Sequence, residues 1–233
     1  SYNQCDLVPN VLRGVKAIDM STTVMGQKIE MPIYCAPTAL QRMFHHDGEI
    51  GVGLAAEKFK TMFGVSSLGT ASIEEVSKRI STPKLFQLYV HKDDGLNNYL
   101  IDQCKEHNFN AMAVTVDTAV GGNRERDLYT GFTIPLNLSL KSIMSFATHP
   151  SWAFNYLTKP KWELSNLNKH VTEGTNVMTS IGDYFTKMLD NSLTWKKIEE
   201  INKKWGKPLA IKGVMSVEAV SYTHLTLPTS THG

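Results

Sequence analysis

The chain has 233 residues, of which 42% are hydrophobic, and this is enough for one large domain with a sizeable core. Its net charge of +2 is too small to favour nucleic acid as a partner. The three cysteines lie far apart, which favours neither a disulfide framework nor a zinc site and fits a reducing compartment. Because the sequence has no long apolar run and no signal-peptide pattern, we expect a cytoplasmic location.

Short apolar runs that alternate with helical patterns dominate the sequence. The runs predict five buried strands at Pro32–Pro37, Met62–Ser67, Leu85–Val90, Ala111–Asp117 and Pro208–Gly213. One intervening helix begins with a capping box of Ser72 and Glu75, and its neighbour is expected to bury Ile50, Leu54 and Ala55. Strands that alternate with helices predict parallel βαβ units.

Two architectures accommodate such units, the open doubly wound sheet and the closed eight-stranded barrel. The segment "CAPTALQRM" after the first run lacks the glycine-rich turn of a doubly wound nucleotide fold. The pattern therefore favours an α/β protein built as a (β/α)8 TIM barrel, of which about five strands are recognised in this sequence. In a barrel, functional residues lie at the C-terminal ends of the strands.

A long insertion is predicted after the fourth strand, because about 90 residues separate the fourth run from the fifth. It covers about residues 118–190 and is rich in aromatic residues, namely Phe146, Trp152, Phe154, Tyr156 and Trp162. Packing of this segment onto its own barrel is the favoured interpretation. Contact with a membrane surface or a partner is the alternative.

Polar residues end every predicted strand, and any one of them is as well explained by a satisfied position on the rim as by function. Together they favour function. They include Thr38, Ser66, Gln87, Tyr89, Thr115, Asp117 and Lys212. No metal site is predicted, because the adjacent His45 and His46 lack the spacing of a ligand pair.

Several motifs resemble the FMN-dependent L-2-hydroxy acid dehydrogenases. They are "APTALQRM", "SSLGTASIEEV", "FQLYV", "TVDTAVGGNRERD" and "LTWKKIEEI" before "IKGV", in this order. The likeness supports one partial domain over residues 1–220, with residues 221–233 as an unmatched, unstructured tail. Within the family, "THPSWAFNYL" is most similar to the bacterial L-lactate dehydrogenases of the cytochrome or quinone type and to the mandelate enzymes.

The resemblance implies FMN as the cofactor and assigns residues to it. The flavin-binding positions are Pro37, Thr38, Ala39, Ser66, Gln87, Thr115 and Lys212. Lys212 would stabilise the negative charge that develops on the reduced ring. Tyr89 and Arg124 would bind the substrate, with Arg124 at its carboxylate. Without the family, "NRERD" would be interpreted as a solvated charge cluster, so only its position after "TVDT" gives Arg124 this role.

The implied activity is oxidation of an L-2-hydroxy acid, with L-lactate to pyruvate as the first choice and a quinone or cytochrome as electron acceptor. An oxidase that uses oxygen and a non-catalytic chain are the alternatives. The resemblance also implies peripheral contact with the inner face of the cell membrane and a homo-oligomer when the protein is complete. Nucleic acid is not an expected partner.

The family's catalytic base is a histidine in an "SNHGGR"-like motif on the next strand, and this motif does not occur in the sequence. In the family the flavin-phosphate loops likewise belong to later barrel units, so the resemblance implies a partial (β/α)8 TIM barrel with about five strands present. We therefore expect that the chain is truncated at both ends, that it contains no catalytic base and that it is inactive alone.

Overall fold

A computed structural model describes residues 5–118, 125–130, 139–167 and 188–226. The first described elements are two short antiparallel strands, β1 (Thr22–Val24) and β2 (Gln27–Ile29). Met25 and Gly26 both have positive φ angles, 49° and 73°, as a two-residue hairpin turn requires. The sequence analysis missed this hairpin, because three-residue strands are too short to show a period.

Five parallel strands form the main sheet. They are β3 (Cys35–Thr38), β4 (Phe63–Ser66), β5 (Lys84–Tyr89), β6 (Ala111–Thr115) and β7 (Leu209–Lys212). Neighbours in the sheet are neighbours in the chain, in the order β3-β4-β5-β6-β7. Each strand overlaps one of the five predicted runs. The prediction of a partial barrel with about five parallel strands is confirmed.

Helices lie between these strands and after the last one. They are α1 (Gln41–Phe44), α2 (Gly48–Lys58), α3 (Ile73–Arg79), α4 (Asp94–Glu106), α5 (Glu125–Thr130), α6 (Leu140–Ala147), α7 (Pro150–Thr158), α8 (Trp195–Trp205) and α9 (Val217–Thr226). The predicted capping box is present, since Ser72 Oγ accepts a hydrogen bond from the Glu75 N–H at 3.0 Å. Within the described residues, no helix combines the length and the hydropathy needed to cross a membrane.

The buried face of α2 differs from the predicted one. Leu54 and Ala55 are exposed, and the residues buried with Ile50 include Gly53 and Ala56. The small residues allow α2 to pack closely, because a Cβ added at position 53 would lie within 3.1 Å of side-chain atoms of α3's C-cap and of β4. The buried face of α2 is therefore the one whose small residues allow close packing, and not the one with the most apolar residues.

The sheet has two faces with different neighbours. Side chains such as Phe63, Phe86 and Val114 pack in the main core with the helices. Leu85 and Ala111, which lie near the starts of their strands, pack on the other, concave face with Ile29 of the hairpin. The hairpin thus covers the concave face at the amino-terminal ends of the strands. It does not cover the C-terminal ends of the strands.

The described part of the insertion packs onto the barrel at several points. Leu164 and Leu167 are buried in the main core, and Trp152 Nε1 donates a hydrogen bond to the Met43 carbonyl at 3.1 Å. The favoured packing interpretation thus agrees with the positions of Trp152 and Trp162, whereas Phe154 and Tyr156 are exposed.

The expected unstructured tail also needs a correction. Helix α9 continues to Thr226, so the first six residues of the segment 221–233 are helical. Residues 227–233 lie outside the described part of the chain. The helix follows β7 as helices follow the earlier strands, so the βα alternation persists where the sequence motifs end.

Candidate functional site

Three polar side chains from neighbouring strands form one hydrogen-bonded row. Ser66 Oγ donates to Gln87 Oε1 at 2.9 Å, and Gln87 Nε2 donates to Thr115 Oγ1 at 2.7 Å. All three residues are buried, and Ser66 pairs directly with Gln87 in the parallel register. The row is therefore a fixed, uncharged polar strip at the C-terminal ends of β4, β5 and β6.

A second set of predicted residues lies on the same concave face. The register pairs Tyr89 with Thr115 and Thr115 with Lys212, so one residue from each of β5, β6 and β7 stands side by side. Burial and the nearby Asp117 carboxylate raise the pKa of Tyr89. Its hydroxyl is therefore protonated at neutral pH and can donate a hydrogen bond, but it cannot act as a base.

Lys212 forms a loose ion pair at this end of the sheet. Its Nζ lies 4.0 Å from Asp117 Oδ1, and the two side chains are 50% and 41% exposed. Gly213 has a φ of +104°, and a Cβ there would lie 2.4 Å from Asp117 Cγ. Asp117 itself is exposed, so its carboxylate is not a buried acceptor. No further strand pairs with β7 in the described structure, and Lys212 at its end stays half-exposed.

The third set of predicted residues, Pro37–Ala39, lies where β3 bulges. Cys35 pairs with Phe63 but Thr38 pairs with Val65, so β3 has one extra residue over this span. Close by, Gln41 donates from Nε2 to the Thr38 carbonyl at 3.2 Å, while its buried Oε1 has no hydrogen-bond partner. The end of β3 therefore offers an unused acceptor beside the predicted flavin-binding segment.

These features fit the ring of a flavin. Such a ring is flat, carries hydrogen-bonding atoms along one edge and becomes negatively charged on reduction. The polar strip of Ser66, Gln87 and Thr115 can bind the edge, and the cation of Lys212 lies on the same face of the sheet. The free acceptor Gln41 Oε1 suits a ring N–H. The residues present thus match the donors, acceptors and charge that the group needs.

Comparison with known proteins gives the family. A model of the FMN-dependent dehydrogenases matches residues 1–223. The chain belongs to the FMN-dependent dehydrogenase family. It is 34% identical over 229 residues to Glycolate oxidase 3 of Arabidopsis thaliana, a match that covers 97% of this chain and 56% of the relative. It is also 34% identical over 228 residues to an L-lactate dehydrogenase of Vibrio parahaemolyticus, covering 96% of this chain and 60% of that protein.

The fold agrees with solved structures of this class. A structure described as the monotopic membrane protein (S)-mandelate dehydrogenase superposes with a TM-score of 0.87 at 24% identity, over 97% of this chain and 60% of that one. A lactate oxidase from Pediococcus acidilactici superposes with a TM-score of 0.73 at 23% identity, over 94% and 51%. The chain therefore spans between half and two thirds of the length of these members of the FMN-dependent dehydrogenase family.

One predicted site residue of this family member cannot be located. Arg124 lies outside the described residues, and α5 begins at the next position, Glu125. Its assignment to the substrate carboxylate stays a prediction. At the same end of the sheet, the Asp117 carboxylate is close enough to Tyr89 to raise the pKa of its hydroxyl.

A histidine near the site was not considered in the sequence analysis. His91 follows β5, two residues after Tyr89, and is 1% exposed. Its N–H donates to Asn97 Oδ1 at 2.8 Å, and its Nδ1 lies 3.3 Å from the same oxygen. Burial lowers the pKa of His91 to about 4. The ring is thus neutral and enclosed, so it stabilises the end of β5 and is not placed as a general base.

The spacing of His45 and His46 in the sequence did not predict that their side chains would lie close to a third potential ligand. His45, His46 and Asp47 bring one potential ligand atom each to within 4.8 Å of one another, because the chain turns between α1 and α2. However, the groups contact each other: His46 Nε2 lies 3.4 Å from Asp47 Oδ1, and His45 Nδ1 accepts the Asp47 N–H at 3.3 Å. The contacts among these three exposed residues account for their close approach.

Proposed function

We propose that the complete protein that carries this chain oxidises an L-2-hydroxy acid with FMN, and that L-lactate is its substrate. The observation that carries the proposal is the row of Ser66, Gln87 and Thr115 beside Lys212 on one face of the sheet. A buried polar row costs free energy unless every group is satisfied, and its open end at the C-terminal edge suits a ligand. Bound FMN would accept two electrons from the substrate.

Each group of this chain has a defined task in the proposal. Ser66, Gln87 and Thr115 orient the ring, and Lys212 stabilises the negative charge that reduction produces. Tyr89 donates a hydrogen bond from its protonated hydroxyl to the substrate. Arg124 pairs with the substrate carboxylate. The proton on the substrate carbon requires a base that none of these groups supplies.

The electron acceptor distinguishes two versions of the proposal. We favour a quinone or a cytochrome, as in the L-lactate dehydrogenases, in a homo-oligomer at the inner face of the cell membrane. An oxidase that reduces oxygen is the second version, because the relatives include both glycolate oxidases and L-lactate dehydrogenases. Oxygen consumption compared with dye reduction, measured on the same preparation with L-lactate and with glycolate, separates the two versions and the two substrates.

The test of the proposal uses Lys212→Met in the complete protein, with the exposed Lys58→Met as its control. We expect the Lys212 variant to bind FMN about tenfold more weakly and to be reduced by L-lactate more slowly, because it loses a charge-assisted contact. Lys58 lies on α2 and is exposed, so its variant should behave as wild type. Normal flavin retention and reduction in Lys212→Met would remove Lys212 from the site.

The insertion supports a membrane-surface contact in the same protein. Helices α6 and α7 pack against each other and expose large apolar residues, namely Leu140, Ile143, Met144, Phe154, Tyr156 and Leu157. Lys159 and Lys161 follow them and are exposed. Apolar side chains beside lysines suit the interface of an anionic bilayer. Trp152, which was expected in this surface, is instead docked onto α1 through its Nε1.

Sedimentation with vesicles of anionic phospholipid tests this contact. The double variant Phe154→Ser, Leu157→Ser should stay in the supernatant, because it loses two of the most exposed apolar side chains of the surface. The control is Leu54→Ser, an exposed leucine on α2 that lies outside the insertion. If the double variant sediments like wild type, the insertion does not bind the membrane.

A further inference from the structure

The loop between β4 and α3, residues 67–72, is almost completely buried although it has no regular structure. Ser67, Leu68, Thr70 and Ala71 are all at most 4% exposed. A buried loop must satisfy its backbone N–H groups without a helix or a sheet ladder. The partners of these N–H groups therefore identify what holds the loop in place.

The first N–H groups of the loop bond to the polar row or its neighbours. Ser67 N–H donates to the Gln87 carbonyl at 3.0 Å, and Leu68 N–H donates to Ser66 Oγ at 3.2 Å. Gly69 N–H donates to the Ser66 carbonyl at 2.9 Å. Ser66 Oγ thus receives a bond from the loop and gives one to Gln87, so the position of the loop determines where this hydroxyl points.

The next two N–H groups of the loop, those of Thr70 and Ala71, bond to a single carboxylate. Glu49 Oε1 accepts the Thr70 N–H at 2.8 Å, while Oε2 accepts the Thr70 hydroxyl at 2.6 Å and the Ala71 N–H at 3.2 Å. Glu49 is 0% exposed and lies in the first turn of α2. A carboxylate without water is tolerated only where donors surround it, and here three donors and the amino-terminal end of a helix do so.

Two further segments hold Thr70 from the other sides. Its hydroxyl oxygen accepts the Arg42 N–H at 3.1 Å, and its carbonyl accepts Arg42 Nη1 at 3.2 Å and Ser165 Oγ at 2.9 Å. Arg42 Nη2 in turn pairs with Glu75 at 2.6 Å. Thr70 therefore joins α1, α2 and the insertion, and Glu49 is the buried carboxylate at this junction.

We propose that Glu49 is a positioning residue that holds the loop after β4 and thereby orients Ser66 toward the flavin. This inference rests on the proposed function. Glu49 does not touch the polar row itself, so it acts through Thr70 and Ala71 and, further along the same loop, through Leu68, whose N–H bonds to Ser66 Oγ. A glutamine at position 49 keeps the shape but replaces one acceptor oxygen with an NH2 group, which faces the N–H and O–H donors of the loop.

The experiment compares four variants of the complete protein by amide exchange of the flavin-free form and by titration with FMN. Glu49→Gln and Thr70→Val should each lose about tenfold in exchange protection at residues 70 and 71, and about tenfold in FMN affinity. Thr70→Ser keeps the hydroxyl and should restore both. Glu57→Gln is the matched control, because Glu57 lies on the same helix and accepts the Ser81 N–H at 2.7 Å, outside the loop after β4.

Three results would overturn the inference, and they differ from a failure of the proposed function. Unchanged exchange and FMN affinity in Glu49→Gln would overturn the inference alone. A loss of FMN affinity in Glu57→Gln as large as that in Glu49→Gln would also overturn it, since the effect would then be a general loss of stability. A wild-type protein that takes up no FMN would overturn the proposed function, and this inference with it.

Discussion

The middle of the parallel sheet, strands β4 to β6, and its margins, the edge strands β3 and β7, differ in how their predicted site residues are held. In the middle, Ser66, Gln87 and Thr115 are at most 3% exposed and bond to one another. At the margins, Thr38 on β3 is exposed and Lys212 on β7 is half-exposed with one contact at 4.0 Å. Strands with neighbours on both sides have their polar ends fixed by those neighbours. The end of a strand at the edge of the sheet is not fixed in this way.

The difference indicates where function and stability reside. Ser66, Gln87 and Thr115 in the middle bond to one another, so changing them should cost folding free energy in addition to any contact with the flavin. Lys212 at the margin has one loose contact, so changing it should cost little folding free energy and should mainly weaken flavin binding. The four predictions below run from the largest expected effect to the smallest, and the last one compares the middle with the margins directly.

The 233 residues alone should show no L-lactate-dependent dye reduction, even with excess FMN. A general base typically contributes about 10²–10⁴-fold, and Tyr89 and Arg124 cannot supply it, because a phenol with a raised pKa and a guanidinium both stay protonated. The assay compares the chain with free FMN at the same concentration. Turnover above that background that disappears in His224→Ala would contradict the prediction, because a histidine of α9 would then act as the base.

Arg124→Met in the complete protein should lower kcat/KM for L-lactate and leave FMN content unchanged. Loss of a charge-assisted contact to a carboxylate costs about 2–4 kcal/mol, or about 30- to 900-fold in kcat/KM. Arg126→Met is the control, because Arg126 lies two residues away and is exposed on α5. Equal kcat/KM values in the two variants would remove Arg124 from the substrate site.

His91 should make the protein less stable as the pH falls from about 6.5 to about 4. Its pKa is about 4 in the folded protein, lowered mainly by burial, so the unfolded chain binds more protons across this window. The loss should be on the order of 3 kcal/mol. Urea unfolding across the window should show this slope in wild type and in the control His45→Gln, but a flatter profile in His91→Gln. A profile that stays equally steep in His91→Gln would assign the slope to other groups.

Gln87→Leu should destabilise the protein more than Thr38→Val. The leucine leaves the buried Ser66 and Thr115 hydroxyls without their shared partner, which costs about 1–3 kcal/mol. Thr38 is exposed, and its hydroxyl bonds only to the Ala36 carbonyl at 3.3 Å, so the change should stay within about 0.5 kcal/mol. Both are measured as free energies of unfolding. Equal losses would contradict the contrast between the middle and the margins.

Local patterns were sufficient to predict the main sheet and its order. The runs that became β4, β5 and β6 are apolar and β-rich, and capping signals such as Ser72 separate them from the helices. The hairpin of β1 and β2 was missed because its strands are too short. The prediction of the buried face of α2 was wrong, because a count of apolar residues overlooks small residues that allow close packing. Gly53 is such a residue, and it packs against α3 and β4.

The sequence by itself determined which residues end the strands, and for β4, β5 and β6 these are polar. Only the tertiary structure decided that Ser66, Gln87 and Thr115 share one row and that Glu49 holds the adjoining loop. Periodicity acts over a few residues, so it can be read along the chain. A hydrogen bond between strands depends on register and on loop placement, which are set by contacts between residues more than 20 positions apart.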